Sequence, residues 1–300
     1  MILVTGGTGV MGSILVKRLC EAGKTVRVLT LPDDPNVSRV EKLGVDIRYG
    51  DISQESQISG VCRDIEIVYH LAAIIVTRDE TLFKTINVHG TRNLINAAKK
   101  DGVKHFIYTS SASVIYPKPT PYSLSKKYCE ELVTASGISY TIIRPTLVYD
   151  KGKGGLEFDI YLSYLQRFPV VPFIGRGNAL KRPVFVGDII EGLIAVCHNT
   201  TAMGKIYNFS GGEAITMRDF SLLCLKYSGK PDKPIVSLPV WFCKILAGVM
   251  QVTMKNPPLN WQKIAGITQD ADLDPKEAIE DLGYKPRKVT EFLKECFPRI

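Results

Sequence analysis

The stretch Ile2-Leu-Val-Thr-Gly-Gly-Thr-Gly-Val-Met-Gly12 decides the fold. An apolar run ends at Thr5, glycines follow at positions 6, 7, 9 and 12, and apolar residues then recur at helical spacing as far as Leu19. This order predicts a buried strand, a glycine turn and a helix. Glycine permits close approach to a ligand, and a helix N-terminus attracts pyrophosphate. We therefore expect a dinucleotide site here, with an ordinary glycine-rich turn as the alternative.

Strand and helix patterns alternate downstream of this turn. Strands are predicted at Thr25–Thr30, Asp46–Tyr49, Ile65–His70, Lys104–Thr109 and Tyr140–Ile143, and helices at Val37–Leu43, Glu80–Lys100 and Tyr122–Ser136. The alternation predicts an α/β fold of Rossmann type with a doubly wound parallel sheet.

The pattern changes after Arg144-Pro145. Loops are predicted at 152–155 and 169–172, helices at Leu156–Gln166, Asp188–His198 and Asp274–Leu282, and late strands at Val184–Val186 and Ile206–Phe209. We predict a dinucleotide-binding Rossmann domain over 1–150, to which 183–209 returns. The remaining segments, 151–182 and 210–300, would form a smaller C-terminal substrate-binding lobe.

Charge and composition narrow the partners. The formal net charge is +8, but the basic residues are scattered and form no arginine-rich tail. This pattern disfavours nucleic acid and is compatible with an anionic small substrate or an anionic membrane surface. The four histidines have no metal-ligand spacing, so we assign no metal. No run of 18 uncharged apolar residues occurs, so we expect no transmembrane segment.

The cysteines and the N-terminus indicate a cytoplasmic protein. Seven cysteines lie far apart, and no C-x-x-C occurs, which is typical of reduced thiols. The chain begins directly in a predicted strand, with no basic region or cleavage site of a signal peptide.

One apolar segment, Val240–Met254, has Lys244 and Gln251 as its main polar interruptions. It could be a core or lobe helix. The alternatives are an apolar lid or a helix in peripheral contact with a membrane surface.

A chemical constellation follows the fifth predicted strand. Ser110 and Ser111 lie directly after it, and Tyr122 and Lys126 are four residues apart, on one face of the predicted helix. An ordinary tyrosine has a pKa near 10, and a neighbouring cation favours its phenolate. A serine hydroxyl can bind the same substrate oxygen. Together these groups could move a proton while a hydride passes to or from a nicotinamide.

At this point the sequence resembles an extended short-chain dehydrogenase/reductase of the NAD-dependent epimerase/dehydratase group. The matching segments run through most of the chain: 5–12, Gly50-Asp-Ile52, His70-Leu-Ala-Ala73, Asn87–Leu94, Tyr108–Ala112, Tyr122–Lys126, Arg144-Pro145, Tyr207–Gly212 and Leu282–Pro286. The resemblance implies an enzyme that uses NAD or NADP, and a homodimer built from helices 80–100 and 122–136.

The resemblance also implies residue roles. Ser111, Tyr122 and Lys126 would be catalytic, with Ser110 and Ser113 as alternative serines. Tyr122 and Lys126 would also contact the cofactor. The other cofactor-binding residues would be Gly6, Gly9, Val10, Met11, Gly12, Thr30, Asp51, Ile52, Leu71, Ala72, Ala73 and Asn87.

Two departures from the family pattern bear on reaction and cofactor. Dehydratases of this group carry Asp-Glu where this chain has Ala112-Ser113, which disfavours dehydration. NAD enzymes place an acid at the end of the second strand, where this chain has Thr30. Asp33 and Asp34 lie slightly further on, and we favour NAD over NADP.

For substrate, the first hypothesis is epimerisation or ketone reduction on a nucleotide-diphosphate sugar. Lys181 and Arg182 would bind the diphosphate, and Ser111, Thr146 and Tyr149 would line the pocket. The alternative is oxidoreduction of an apolar alcohol or ketone, as in hydroxysteroid dehydrogenases and dihydroflavonol reductases, which Val240–Met254 favours. A non-catalytic nucleotide-binding subunit is a third possibility, disfavoured by the intact Ser, Tyr and Lys.

Overall fold

The computed structural model describes residues 1–150, 156–254 and 257–297. Its strands are β1 Ile2–Thr5, β2 Val26–Thr30, β3 Asp46–Tyr49, β4 Ile67–His70, β5 His105–Thr109, β6 Ser139–Pro145, β7 Val148–Tyr149, β8 Val171–Ile174, β9 Leu180–Lys181, β10 Val184–Phe185, β11 Lys205–Phe209, β12 Ile215–Thr216 and β13 Ile235–Leu238. Its α-helices are α1 Val10–Glu21, α2 Gly90–Lys100, α3 Pro121–Thr134, α4 Leu156–Arg167, α5 Val186–Val196, α6 Met217–Tyr227, α7 Val240–Thr253, α8 Trp261–Thr268, α9 Lys276–Leu282 and α10 Val289–Phe292.

Seven parallel strands form the central sheet, in the order β11-β6-β5-β4-β1-β2-β3. This confirms the predicted Rossmann-type sheet. The chain winds outward from β1 in one direction through β2 and β3, and then in the other through β4 to β6 and β11. The direction reverses beside β1, so the carboxyl ends of β1 and β4 meet where such folds bind their ligands.

Apolar clusters cover both faces of the sheet, and the four strands β1, β2, β4 and β5 are fully buried. One apolar cluster joins β1 and β2 to α1 and α5, and another joins β4 and β5 to α2 and α3. A third cluster forms the core of the C-terminal part, around Tyr149, Phe158 and Phe220. A small fourth cluster joins α7 to α8 and β8.

Several predicted elements differ from the structure. The predicted helix at Val37–Leu43 is two 3₁₀ turns, Val37–Arg39 and Glu41–Leu43. The predicted loop at 169–172 contains the start of β8, which pairs with β13. Pro172 suggested a loop, but proline is tolerated in an edge strand, and burial of the neighbouring Val171 and Phe173 decides the structure. The predicted loop at 152–155 lies outside the described residues.

Two further elements were only partly predicted. The strand expected at Val184–Val186 ends at Phe185 and pairs with β7 outside the central sheet, because α5 begins at Val186. The helix expected at Glu80–Lys100 is a π-helical segment, Phe83–His89, followed by α2. Within the described parts of the chain, no helix has the length and apolarity needed to cross a membrane.

Candidate active site

The glycine turn between β1 and α1 is built for close packing. Gly6 has a φ of +68°, and a Cβ on it would lie 2.7 Å from the backbone nitrogen of Ala72. A Cβ on Gly12 would lie 2.1 Å from the carbonyl oxygen of Gly6. Gly9 is the exposed N-cap residue of α1. A Cβ on Gly9 would contact only the Gly6 carbonyl oxygen, at 3.2 Å. The turn therefore leaves open space at the N-terminus of α1, where a dinucleotide pyrophosphate fits. Val10 and Met11 begin the helix at this opening and are half-buried.

A carboxylate from the following loop, that of Asp34, lies beside the end of β2. Asp34 accepts hydrogen bonds from Thr30 Oγ1 at 2.6 Å, from Thr8 Oγ1, and from the Asn36 backbone N–H at 2.9 Å. Burial would raise the pKa of the Asp34 carboxyl, but these hydrogen bonds outweigh it and lower the pKa. An ionised carboxylate thus stands beside Thr30, at the place where the family pattern has its acid. Arg39, in the 3₁₀ turn that follows this loop, donates a hydrogen bond to the Thr8 carbonyl oxygen.

The segment after β4 closes the other side of the turn. The backbone N–H of Leu71 donates to the Thr5 carbonyl oxygen, and that of Ala72 donates to Thr5 Oγ1. His70 is buried between Thr5 Oγ1, 2.7 Å from Nδ1, and Thr91 Oγ1, 2.9 Å from Nε2. Burial, with a smaller contribution from the Lys126 charge, lowers the pKa of His70 to about 3. His70 is therefore neutral and fixes the segment that would line the cofactor channel.

Asp51 and Ile52 follow β3. Asp51 is half-buried and accepts from the Ser53 backbone N–H, whereas the Ile52 side chain is buried against Gly90. The Ile52 side chain therefore belongs to the core beneath α2.

The π-helical segment positions Asn87. Its Oδ1 accepts from the Ile74 backbone N–H at 2.8 Å, and its Nδ2 donates to the Ile74 carbonyl oxygen and to Ser125 Oγ, both at 3.0 Å. Asn87 thus connects the segment after Ala73 to α3. π-Helical turns are frequent at functional sites. The additional residue in such a turn shifts one side chain out of the regular helical register.

Lys126 is the buried cation of the site. It is 2% exposed, Nζ donates to the Thr109 carbonyl oxygen at 2.6 Å, and Nζ lies 4.4 Å from the centre of the Tyr108 ring. Burial lowers the pKa of Lys126 to about 8. The Thr109 carbonyl oxygen and the face of the Tyr108 ring both favour the ammonium form against this burial.

Tyr122 begins α3 one turn before Lys126. Thr120 caps the helix, Pro121 occupies its first turn, and a reciprocal pair of hydrogen bonds links Thr120 to Ser123. The half-buried Tyr122 ring packs 6.0 Å from that of Phe83. This rigid N-terminus fixes the position of the phenol.

Ser111 lies directly after β5, whose last carbonyl binds Lys126. Its Oγ is 2.9 Å from Ser113 Oγ and accepts from the Ser113 backbone N–H. Ser113 therefore supports Ser111, and the Ser110 side chain is buried. The structure brings Ser111, Tyr122 and Lys126 to the carboxyl end of β5.

Four of the five residues expected to bind substrate are engaged within the protein. The Tyr149 ring is fully buried between Phe158 and Phe185 in the third cluster, rather than at a pocket edge. Thr146 Oγ1 donates to the Arg182 carbonyl oxygen, and Arg182 Nε donates to Asp272 at 2.5 Å. Lys181 is buried and donates to the Gln269 carbonyl oxygen at 2.5 Å. Burial lowers the pKa of Lys181 to about 8.

A cavity of about 1190 Å³ borders the N-terminus of α3. It lies between loops 76–80 and 117–121 on one side and α7 and α8 on the other. Its lining includes apolar residues (Val76, Pro119, Pro121, Val240, Trp261 and Ile264) and charged residues (Arg78, Glu80, Lys118, Lys244, Lys263 and Asp270). Pro121 directly precedes Tyr122 in the chain, so the first turn of α3 forms part of the cavity wall.

Sequence reasoning missed the connection that closes this cavity. Gln269, at the end of α8, accepts from the Lys118 backbone N–H and donates to the Lys118 carbonyl oxygen, both at 2.8 Å. Lys181 Nζ also reaches the Tyr116 hydroxyl at 3.3 Å. No sequence signal could have found these contacts, because they join residues 151 and 65 positions apart in the chain. In the parts of the chain that the structure describes, no group of three or more His, Cys, Asp or Glu residues could hold a metal ion.

The parallel sheet, the glycine turn and the Ser, Tyr and Lys at the end of β5 define an extended short-chain dehydrogenase/reductase. The chain belongs to the 3-beta hydroxysteroid dehydrogenase/isomerase family, whose model matches residues 3–240. It is an NAD(P)-dependent oxidoreductase or epimerase of the extended short-chain dehydrogenase/reductase type.

Relatives and solved structures include several activities. A 3 beta-hydroxysteroid dehydrogenase/Delta 5-->4-isomerase from Mycobacterium tuberculosis is 28% identical over 99% of this chain and 89% of the relative. A ceramide reductase from Caulobacter vibrioides is 29% identical over 69% of this chain and 63% of the relative. The UDP-glucuronic acid 4-epimerase of Bacillus cereus, solved with UDP-glucuronic acid and NAD, superposes with a TM-score of 0.76 at 23% identity, covering 98% and 96% of the two chains.

Proposed function

We propose that this enzyme interconverts a secondary alcohol and a ketone on an apolar, steroid-like or lipid-like substrate. The observation that carries the proposal is the cavity at the first turn of α3, whose wall includes Val240, Trp261 and Ile264 of α7 and α8 among polar residues of the same helices. The membership of the 3-beta hydroxysteroid dehydrogenase/isomerase family supports it independently. The two cations expected to bind a diphosphate are engaged elsewhere, because Arg182 is paired with Asp272 and Lys181 is buried. This disfavours a nucleotide-diphosphate substrate.

The chemistry follows from the positions of the three catalytic residues. Bound NAD(P) supplies the hydride acceptor or donor. Tyr122 exchanges a proton with the substrate oxygen, Ser111 Oγ donates a hydrogen bond to the same oxygen, and the Lys126 ammonium favours the phenolate electrostatically. The Thr109 carbonyl holds that ammonium in place.

We propose NAD as the cofactor because Asp34 is fixed beside Thr30. A carboxylate there accepts hydrogen bonds from ribose hydroxyls and repels a 2′-phosphate. The proposal predicts that Asp34→Asn narrows the preference for NADH over NADPH, measured as the ratio of their Kd values. The neighbouring exposed Asp33→Asn is the matched control and should leave the ratio unchanged. Equal effects of the two variants would contradict the assignment, and an intrinsic preference for NADPH would point to Arg39.

A nucleotide-diphosphate sugar is the second candidate, because Arg182 retains some exposure beside the site. The two functions differ in redox balance. A dehydrogenase consumes NADH stoichiometrically with a ketone, whereas an epimerase shows no net consumption. An assay of NADH absorbance, with steroid-like ketones against UDP-, GDP- and dTDP-sugars, separates them.

A variant pair sharpens this test. Arg182→Ala and Asp272→Asn each break the same ion pair, but only the first removes the cation. For an apolar substrate we expect both variants to change KM equally. A rise in KM specific to Arg182→Ala, with turnover of a nucleotide sugar, would overturn the proposed substrate class.

The homodimer stays a prediction. Leu124 and Tyr128 are exposed on α3, one of the two helices expected in the interface. Sedimentation of Tyr128→Glu against the unmodified protein would test it.

A further inference from the structure

Lys181 is a buried cation that the proposed proton transfer does not use. It lies in the short strand β9 and is 3% exposed. A buried ammonium destabilises the fold unless it is hydrogen-bonded. Its Nζ donates to the Gln269 carbonyl oxygen at 2.5 Å and to the Tyr116 hydroxyl at 3.3 Å, and it lies 5.0 Å from the centre of the Tyr116 ring. Lys181 therefore joins β9 to two segments that are distant from it in sequence.

Gln269, directly after α8, makes a second connection. Its side chain accepts from the Lys118 backbone N–H and donates to the Lys118 carbonyl oxygen, both at 2.8 Å. The next two residues bind β9, because Asp270 Oδ1 accepts from the Leu180 backbone N–H at 2.8 Å and the Ala271 backbone N–H donates to the Leu180 carbonyl oxygen at 2.9 Å. Gln269 is therefore fixed in position on the C-terminal lobe.

The segment that these side chains hold is stiff. It reads Pro117-Lys118-Pro119-Thr120-Pro121, and each proline fixes its own φ and restricts the residue before it. Two backbone N–H groups remain, those of Lys118 and Thr120. The Thr120 N–H donates to Ser123 Oγ within the cap of α3, whereas the Lys118 N–H donates to Gln269. A displacement at Lys118 is therefore transmitted along the segment.

The same segment connects the two catalytic hydroxyls. Ser111 is the N-cap of the 3₁₀ turn that ends at Ile115, and Tyr116 follows directly. Thr120 caps α3, and Tyr122 lies in the first turn of that helix. Since a misplacement of about 1 Å can cost about a hundredfold in rate, the position of this segment matters for catalysis.

We propose that Lys181 and Gln269 are positioning residues. They hold the segment 116–121 against the end of α8 and thereby set the spacing between Ser111 and Tyr122. Residues of this segment and Gln269 line the cavity from opposite sides, so a substrate in the cavity contacts both halves of the connection. The inference rests on the proposed proton transfer by Tyr122 and is independent of the substrate class.

Hydrogen exchange of the full chain with bound NADH tests the connection without a substrate. Gln269→Met removes both side-chain hydrogen bonds at similar size, so the Lys118 amide should exchange about tenfold faster. The faster exchange should extend to the Ser113 amide, which donates to Ser111 Oγ, and to the Ser123 amide, which donates to Thr120 Oγ1. These two amides report on the two ends of the segment.

Steady-state kinetics tests the positioning role, with the substrate that the NADH absorbance panel identifies. Lys181→Met and Gln269→Met should each lower kcat about tenfold or more and leave KM and the NADH Kd within about twofold. Because both residues act on one segment, the double variant should lose no more than the more affected single variant. Lys205→Met is the matched control, since it removes a bond to Asp281 of the same length, 2.5 Å, and it should leave kcat unchanged.

Turnover is expressed per bound NADH, so that unfolded protein does not count as a loss of kcat. The proposal is overturned by faster exchange confined to Lys118, by an unchanged kcat, or by losses that multiply in the double variant. A rise in KM alone would also overturn it and would make Lys181 a substrate ligand. Failure of the proposed function has a different signature, because activity would then survive Tyr122→Phe.

Discussion

The neighbourhood of Lys126 and the α7 surface, meaning the exposed face of α7 formed by Trp241, Ile245, Val249 and Val252, depart from ordinary burial in opposite directions. Around Lys126 the interior contains polar and ionisable groups, among them His70 and Asn87. On α7 the exterior presents apolar groups, of which Val252 is the most exposed. Interiors normally exclude charge, and exposed apolar patches are normally small.

The difference shows how each region is related to a partner outside the chain. Interior polar groups reduce stability unless they are hydrogen-bonded. His70, Asn87 and Lys126 are hydrogen-bonded, whereas among the described residues Thr109 Oγ1 and Ser110 Oγ are buried without a hydrogen-bond partner. Their arrangement serves a bound cofactor. Exposed apolar groups cost the folded state little, and their burial becomes favourable only on contact with a second surface. Changes at the two regions should therefore have different signatures, which the following predictions test.

The largest effect is expected for Tyr122→Phe. Loss of the proton-transferring hydroxyl should lower kcat about a hundredfold to ten-thousandfold. The NADH Kd should change little, since the ring and its contact with Phe83 are kept. Steady-state kinetics and cofactor titration measure the two quantities, and activity that survives the change would refute the assigned role.

A smaller effect is expected from acid, because the pKa of His70 is lowered to about 3. Between that value and its ordinary 6.5, the unfolded chain binds a proton that the folded protein does not, so stability falls as the pH decreases. From pH 7 to pH 5 the loss is about 2 kcal/mol from this group. Denaturant unfolding measures it, and His70→Asn should flatten the slope. The same slope in both proteins would contradict the buried neutral imidazole.

Lys126→Met should separate function from stability. Burial lowers the pKa of this lysine to about 8, so the charged form destabilises the fold. Replacement by an apolar chain of similar length should raise stability by about 1–2 kcal/mol while turnover is lost. Calorimetry gives the first quantity and NADH absorbance the second. A drop in Tm would show that the bond to Thr109 outweighs the desolvation cost.

The smallest effect on folding is expected at the α7 surface. Val252→Lys should change the free energy of unfolding by less than about 0.5 kcal/mol, since the side chain is almost fully exposed. Denaturant unfolding of the variant and the unmodified protein checks this. Marked destabilisation would mean that the face packs on something within the chain.

Much of the dinucleotide-binding part could be predicted from the sequence. The glycine spacing fixed the β1-turn-α1 unit, and Tyr122 with Lys126 indicated the reaction class, because both signals depend on local spacing. The 3₁₀ turns at 37–43 and the π-helical segment were missed, because local apolar periodicity does not distinguish helix types. The role of Asp34 was left open for a different reason. A loop carboxylate reaches Thr30 only when the loop folds back, which local sequence does not reveal.

By itself, the sequence determined the parallel α/β fold, the glycine turn and the catalytic residue types, since backbone freedom, helical period and side-chain chemistry are local properties. Only the tertiary structure decided that Tyr149 is a core residue, that Lys181 is buried and Arg182 ion-paired, and that Gln269 connects α8 to the backbone of Lys118. It also decided which face of Val240–Met254 is exposed. The physical reason is that burial and pairing depend on groups from distant parts of the chain, and these meet only after folding.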